Sequence, residues 1–214
     1  MLTDKIVNNK IAAEVKSSEK RQRRLPADAR DNILAAAEAI LTERGPVALK
    51  LSEVAAGAGV ANATVLHHFG SIDGVQTALM ERMVTNLAAR VVAITEAAGG
   101  DHHAGMEGAQ ALFDAFEAQG AARLAAWLVM TGEAKRLSVI REAVDSVVAV
   151  TLARSRVPIE RAELEDFLLA SITLALGSGL FGQTLSTQLG RPDDSARRAA
   201  MALLAARMLD SGFI

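Results

Sequence analysis

The sequence predicts an all-α protein in two unlike parts, three short helices followed by a bundle of longer ones. Apolar residues recur at the 3.6-residue helical spacing along most of the chain, and no useful length of strand-like alternation interrupts them. Half of the 214 residues are hydrophobic, yet only 3% are aromatic and none is Tyr, so Ala, Leu and Val must build the core. Ala is the best helix former, whereas strands draw on β-branched and aromatic side chains.

Residues 1–25 form a basic arm in which Ile6, Ile11 and Val15 give only a thin apolar stripe, broken by KSSEKRQRR. The first helix begins at Pro26, where PADARDN places Pro and acidic residues in an opening turn, and runs through Ile33, Leu34, Ala37, Ile40 and Leu41 to a stop at Gly45-Pro46. A second, short helix carries Leu51, Val54, Ala55 and Ala58, and Gly57 and Gly59 end it. A third spans about 62–69. The fourth starts near Asp73 and shows Leu79, Met80, Met83, Val84, Leu87, Val91 and Ile94. After the break GGDHHAG at 99–105, helices are expected near 105–118, 121–134, 138–155, 159–188 and 194–210. The organisation is an arm at 1–25, a small helical unit at 26–75 and a larger one at 76–214.

Composition excludes several functions. With no Cys, disulfides and thiolate metal sites are ruled out, which fits a reducing compartment. The N-terminal segment has no apolar run of signal-peptide length, and no stretch is read as reaching the roughly 18 uncharged apolar residues of a membrane span, so no membrane partner and a cytoplasmic location are expected. No nucleophile elbow, P-loop, GxGxxG or HExxH occurs, and Gly177-Ser178-Gly179 lacks a strand-to-helix context, so neither an enzyme nor a cofactor is expected. Glu160, Glu163, Glu165 and Asp166 make an acidic helix start that the macrodipole explains without chemistry. No metal site is expected either: His67 and His68 diverge by about 100° on a helix, and Asp101, His102 and His103 in a loop lack preorganisation.

The net charge of −2 is unevenly spread. Residues 1–25 hold seven Lys or Arg against three acidic residues, a net +4, while 73–214 hold 13 basic and 17 acidic. A polyanion would therefore be met at the basic end.

The segment 51–69, LSEVAAGAGVANATVLHHF, is the informative one. Two short helices cross steeply only where a small residue lies at their approach and the turn adopts a conformation open mainly to Gly. Ala55 meets the first need, Gly59 the second, and Val65 returns an apolar side chain to the shared core. This is the helix-turn-helix pattern, although a helical hairpin that binds no DNA shows the same spacing. At about 100° per residue, Val65, Phe69 and Ala61 turn inward, whereas Ala63, Thr64, Leu66 and His67 turn outward with Asn62 at the helix start. Such a face suits the major groove. Asn62 can pair with adenine or merely cap the helix, Thr64 can meet a base edge or phosphate, and Leu66 a thymine methyl. His67 meets phosphate; His68 either does so or packs.

AGVANATVLHHFGSIDGV at 58–75, preceded by ILAAAEAILTERG, resembles the DNA-binding domain of the TetR family of transcriptional regulators over about residues 30–80. The resemblance implies double-stranded DNA as a partner, and a C-terminal bundle that binds a small-molecule effector and forms a homodimer. Three positions depart from the family's pattern: Leu66 replaces a usual Tyr, Ile72 a usual phosphate-binding Lys, and Lys50 stands near a usual capping Thr. Phosphate anchoring is then expected from Lys50 and from Arg21, Arg23 and Arg24 of the arm, unless the arm is only a solvated tail.

In the bundle, Phe113, Phe116, Trp127, Met130, Phe167 and Phe181 are the candidates for an effector pocket, with core packing as the alternative. The glycines of GSGLFGQ point to a close helix approach or room for a ligand. In ARRAAMALLAARMLD, Ala199, Ala200, Leu203 and Leu204, extended by Met201 and Met208, make an apolar stripe wider than one neighbour requires, which predicts a dimer built by the last two helices. The full expectation is an N-terminal three-helix helix-turn-helix DNA-binding domain followed by a helical-bundle effector-binding and dimerisation domain. Its function would be a repressor released from a palindromic operator by an apolar or amphipathic effector. The rivals are an effector-independent protein acting in DNA organisation or through protein partners, and a helical-bundle enzyme.

Overall fold

The computed structural model describes residues 26–98, 103–117, 120–155 and 158–210, so the arm with Arg21, Arg23 and Arg24, and the loop residues Asp101 and His102, lie outside the described residues. Those described form helices without a strand: α1 (Pro26–Arg44), α2 (Leu51–Ala58), α3 (Asn62–Phe69), α4 (Ile72–Ala98), α5 (His103–Glu117), α6 (Ala121–Met130), α7 (Val139–Arg154), α8 (Arg161–Gly177), α9 (Gln183–Gln188) and α10 (Ser195–Asp210). Short 3₁₀ turns at Pro46–Ala48 and Ala134–Leu137 follow α1 and α6, and a π-helical turn at Ser178–Gly182 joins α8 to α9 in one continuous rod.

Three elements differ from the sequence reading. α5 begins at His103, inside the segment assigned to the loop. α6 stops at Met130 rather than near 134, because the Thr131 hydroxyl donates back to the Trp127 carbonyl at 2.9 Å and Gly132 turns the chain with φ 79°. The rod from Arg161 to Gln188 is long and apolar enough by composition to cross a membrane, contrary to the expectation that no such run exists. Its Ser, Thr, Gln and Gly residues carry no charge and stay helical.

Two apolar cores hold the molecule. The first gathers Ile33, Leu34, Ala37 and Leu41 of α1, Val54 and Ala55 of α2, Val65 of α3 and Val75, Leu79 and Met83 of α4, and it also takes in Ala121, Leu124 and Leu128 of α6. The second joins Ala109 and Phe113 of α5, Phe167 and Ala175 of α8 and Ala200, Leu204 and Met208 of α10. α4 is continuous through positions 75 and 76 and serves both parts.

Polar ties brace the joints. Arg197 of α10 reaches Asp114 at 2.8 Å and Glu117 at 3.1 Å, and the Ser178 hydroxyl donates to Glu117 at 2.6 Å. Burial pulls the Arg197 pKa down, but the bonds to Asp114 and Glu117 outweigh it and leave the guanidinium above its ordinary value. Beside this network Gly179 permits close packing: a Cβ there would lie 2.9 Å from the Phe116 carbonyl oxygen and from the Ala122 Cβ. The glycine-rich stretch thus makes a close helix approach.

Candidate nucleic-acid interface and ligand cavity

The turn between α2 and α3 is built as the Ala55, Gly59, Val65 spacing requires. Gly59 adopts φ 66°, ψ 34°, a left-handed conformation that a Cβ disfavours. Its N–H returns to the Ala56 carbonyl at 3.1 Å and that of Val60 to Ala55 at 3.0 Å, satisfying carbonyls at the end of α2. The Asn32 amide of α1 donates to the remaining Ala58 carbonyl at 2.7 Å, and Val65 is completely buried.

With Val65 fixed inward, helical geometry sets the rest of α3. Asn62, Ala63, Leu66 and His67 are exposed, and Thr64 and His68 are half-buried. Ala61, not Asn62, occupies the cap position, and no side chain caps the helix, so the Asn62 amide is not spent on its own backbone. Lys50 is exposed at the start of α2. Ile72, where the family pattern has a Lys, is partly buried against the first core. Sequence reasoning missed Arg30. Its guanidinium stacks 4.5 Å from the Phe69 ring and donates to the His68 carbonyl at 3.2 Å, tying α1 to the end of α3. The helical register of residues 30, 33 and 37 is the signal that could have placed it.

A cavity of about 310 Å³ lies within the bundle. Of the six candidate pocket residues, only Phe116 and Phe167 border it. Phe113 is fully buried in the second core, Trp127 packs against the first, and Met130 and Phe181 stand 86% and 60% exposed. The wall consists mainly of smaller aliphatic residues such as Leu87, Val91, Leu112, Val144 and Ile172, because large rings fill space that small side chains leave open. Met80, Met83 and Ala121 border the cavity and also belong to the first core. Among the described residues no group of His, Asp or Glu could hold a metal ion.

α6 is locked to the helix-turn-helix by more than apolar contact. Arg123 donates to the Thr42 carbonyl of α1 at 2.7 Å. Just beyond α6, Arg136 lies 3.4 Å from Asp73, 3.2 Å from Glu133 and 3.4 Å from the Gln76 amide oxygen.

Comparison with known proteins agrees with this architecture. Residues 33–79 match the family described as bacterial regulatory proteins, tetR family. No curated protein matches the sequence. Among solved structures, the multidrug binding protein EbrR complexed with imidazole shares 21% identity over 83% of this chain and 93% of its own, with a TM-score of 0.59. The reduced form of E. coli NemR shares 20% identity over 82% and 95%, with a TM-score of 0.61. A TetR-family transcriptional regulator from Streptomyces coelicolor shares 21% over 86% and 97%, with a TM-score of 0.58. At such identities the likeness is one of fold. The family's sequence match thus lies on the helix-turn-helix, at residues 33–79, and the remainder of the chain shares the fold of these solved regulators.

Proposed function

We propose that the protein is a homodimeric repressor that occupies a palindromic operator through two α3 helices and leaves it when an apolar or amphipathic small molecule enters the cavity. The observation that carries this reading is the sharing of Met80, Met83 and Ala121 between the cavity wall and the helix-turn-helix core. An occupant that displaces these side chains strains the packing that seats α1 to α3 on the bundle. A difference in ligand affinity between two seatings supplies the coupling, typically about 1–3 kcal/mol. The EbrR structure complexed with ethidium supports a small-molecule site in a protein of this fold.

Direct contacts to DNA are assigned to Lys50, Asn62, Ala63, Thr64, Leu66 and His67, with His68 and the arm residues Arg21, Arg23 and Arg24 on phosphate. The dimer is assigned to the outer faces of the α8–α9 rod and α10. On the rod, Leu169, Phe181, Leu185 and Leu189 are exposed at intervals of four or multiples of four, and on α10 Ala199 and Leu203 are exposed while Ala200, Leu204 and Met208 face inward. Covering this stripe answers the apolarity of the rod without a membrane, and action on chromosomal DNA places the protein in the cytoplasm. A two-fold pair would set its α3 helices one DNA turn apart, about 34 Å.

The test is a gel-shift titration with DNA from upstream of the protein's own gene, with and without an extract of small metabolites. Retardation that the extract reverses is expected. Retardation indifferent to every extract fraction would favour the effector-independent rival.

A further inference from the structure

The cavity is uniform in chemistry except at one end. Three of its four hydroxyls are turned back onto their own helices: Thr95 donates to the Val91 carbonyl at 3.0 Å, Thr151 to Val147 at 2.8 Å and Ser171 to Phe167 at 2.8 Å. None of these protons is offered to an occupant. Among the described residues that border it there is no carboxylate, and Arg154 is the one charged side chain. It ends α7, is 51% exposed, and lies 4.0 Å from the Glu96 carboxylate near the end of α4, the outer limit of an ion pair. Arg154 therefore marks a solvent-facing mouth, with Thr95 buried just inside it. Met80, fifteen residues before Thr95 on the same helix, marks a deep end about 22 Å away.

We propose that the effector is a single-headed amphiphile with an acidic head, such as a medium-chain carboxylate. Its apolar tail fills the cavity and its head pairs with Arg154. This assignment rests on the effector-released reading above and adds the class of ligand. A volume of about 310 Å³ lies at the lower end of the roughly 300–1,000 Å³ of small-ligand sites and so suits a short-tailed molecule. A buried cation would meet no counter-charge on this wall and would lose its hydration without compensation. A carboxylate at the mouth keeps part of its hydration and gains a charge-assisted, bidentate partner better placed than Glu96.

The probes are decanoate, decan-1-ol and decyltrimethylammonium, titrated calorimetrically into the full chain and into Arg154→Leu and Glu96→Gln. Decanoate is expected to bind most tightly and the ammonium least. Arg154→Leu should weaken decanoate about fivefold and leave decan-1-ol within about twofold, which also shows that the variant is folded. Glu96→Gln should strengthen decanoate by freeing the guanidinium. Unchanged decanoate affinity in Arg154→Leu, ammonium binding as tight as decanoate, or no binding by any probe would overturn the assignment. If decan-1-ol binds and releases DNA while decanoate gains nothing from Arg154, the head-group assignment falls and the effector reading stands. If decanoate binds through Arg154 yet DNA is retained, the assignment stands and the effector reading falls.

Discussion

The Asn32 side chain reaches across from α1 to hold the last carbonyl of α2, donating to Ala58 at 2.7 Å immediately before the Gly59 turn. This bond fixes the angle at which α3 leaves α2. Asn32→Leu keeps the shape and removes the donor, so stability should fall by about 1 kcal/mol, a drop in Tm of roughly 2–4 °C. Affinity for DNA should fall with it. A variant with the parent's Tm and affinity would show that the turn geometry is set by Gly59 and the core alone.

Positions on α3 away from its buried anchor should separate binding from stability. Thr64→Ala or His67→Ala is expected to weaken specific DNA binding by about 1–3 kcal/mol each, with a nearly unchanged Tm. Gel-shift titrations that return the parent's affinity would take these side chains out of the interface. Val65→Asp should instead unfold the small unit, because it places an unpaired charge in a site with no exposure.

Removal of residues 1–24 should lower affinity for every DNA sequence alike and flatten its salt dependence, since the segment is rich in Lys and Arg and phosphate contacts release counterions without reading bases. The slope of log affinity against log salt is the measurement. An unaltered slope would make the arm a passenger.

Phe181→Glu should convert a dimer to a monomer. The ring is 60% exposed on the outer face of the α8–α9 rod, in line with Leu169, Leu185 and Leu189. A charge there costs little in a free protomer and is unpaired in a two-fold contact. Light scattering at micromolar concentration is expected to show half the parent's mass with an unchanged helical circular dichroism signal. A parent that is itself monomeric, or a variant that remains dimeric, would move the interface elsewhere.

Much of the fold was legible because helix-forming rules are local. Ile33, Ala37 and Leu41 on one face, the Gly45-Pro46 stop and the Gly59 turn define α1 to α3 to within about a residue. The outward face of α3 followed from one buried anchor, Val65, and the helical repeat, but Ala61, expected to turn inward, is exposed because it caps the helix in an extended conformation outside that repeat. The cavity did not follow, because a void belongs to no residue. It is the space that Ala, Val and Leu fail to fill once six helices have met. Choosing large aromatics pointed to the places where space is filled, as at Phe113, or where the surface is open, as at Phe181. Arg154 was likewise invisible, since its significance comes from its being the one charge among the described residues around the cavity.

The π-helical turn at Ser178–Gly182 has a consequence for sequence change. Such a turn closes its hydrogen-bonded ring over one residue more than an α-helical turn does, and so absorbs an inserted residue without breaking the rod. Deleting a single residue there would let the rod relax to plain α-helix and would leave its length and composition almost untouched. It would also keep Leu185 and Leu189 at nearly the same angle to Leu169, because the wider turn takes up the roughly 100° that one extra residue adds. Loss of one residue at this point therefore leaves both the hydrophobic core and the outer stripe in phase, whereas a deletion elsewhere in the rod would swing the stripe by about 100°. Related chains that differ by one residue between 178 and 182 would share a protomer and still be able to pair with one another.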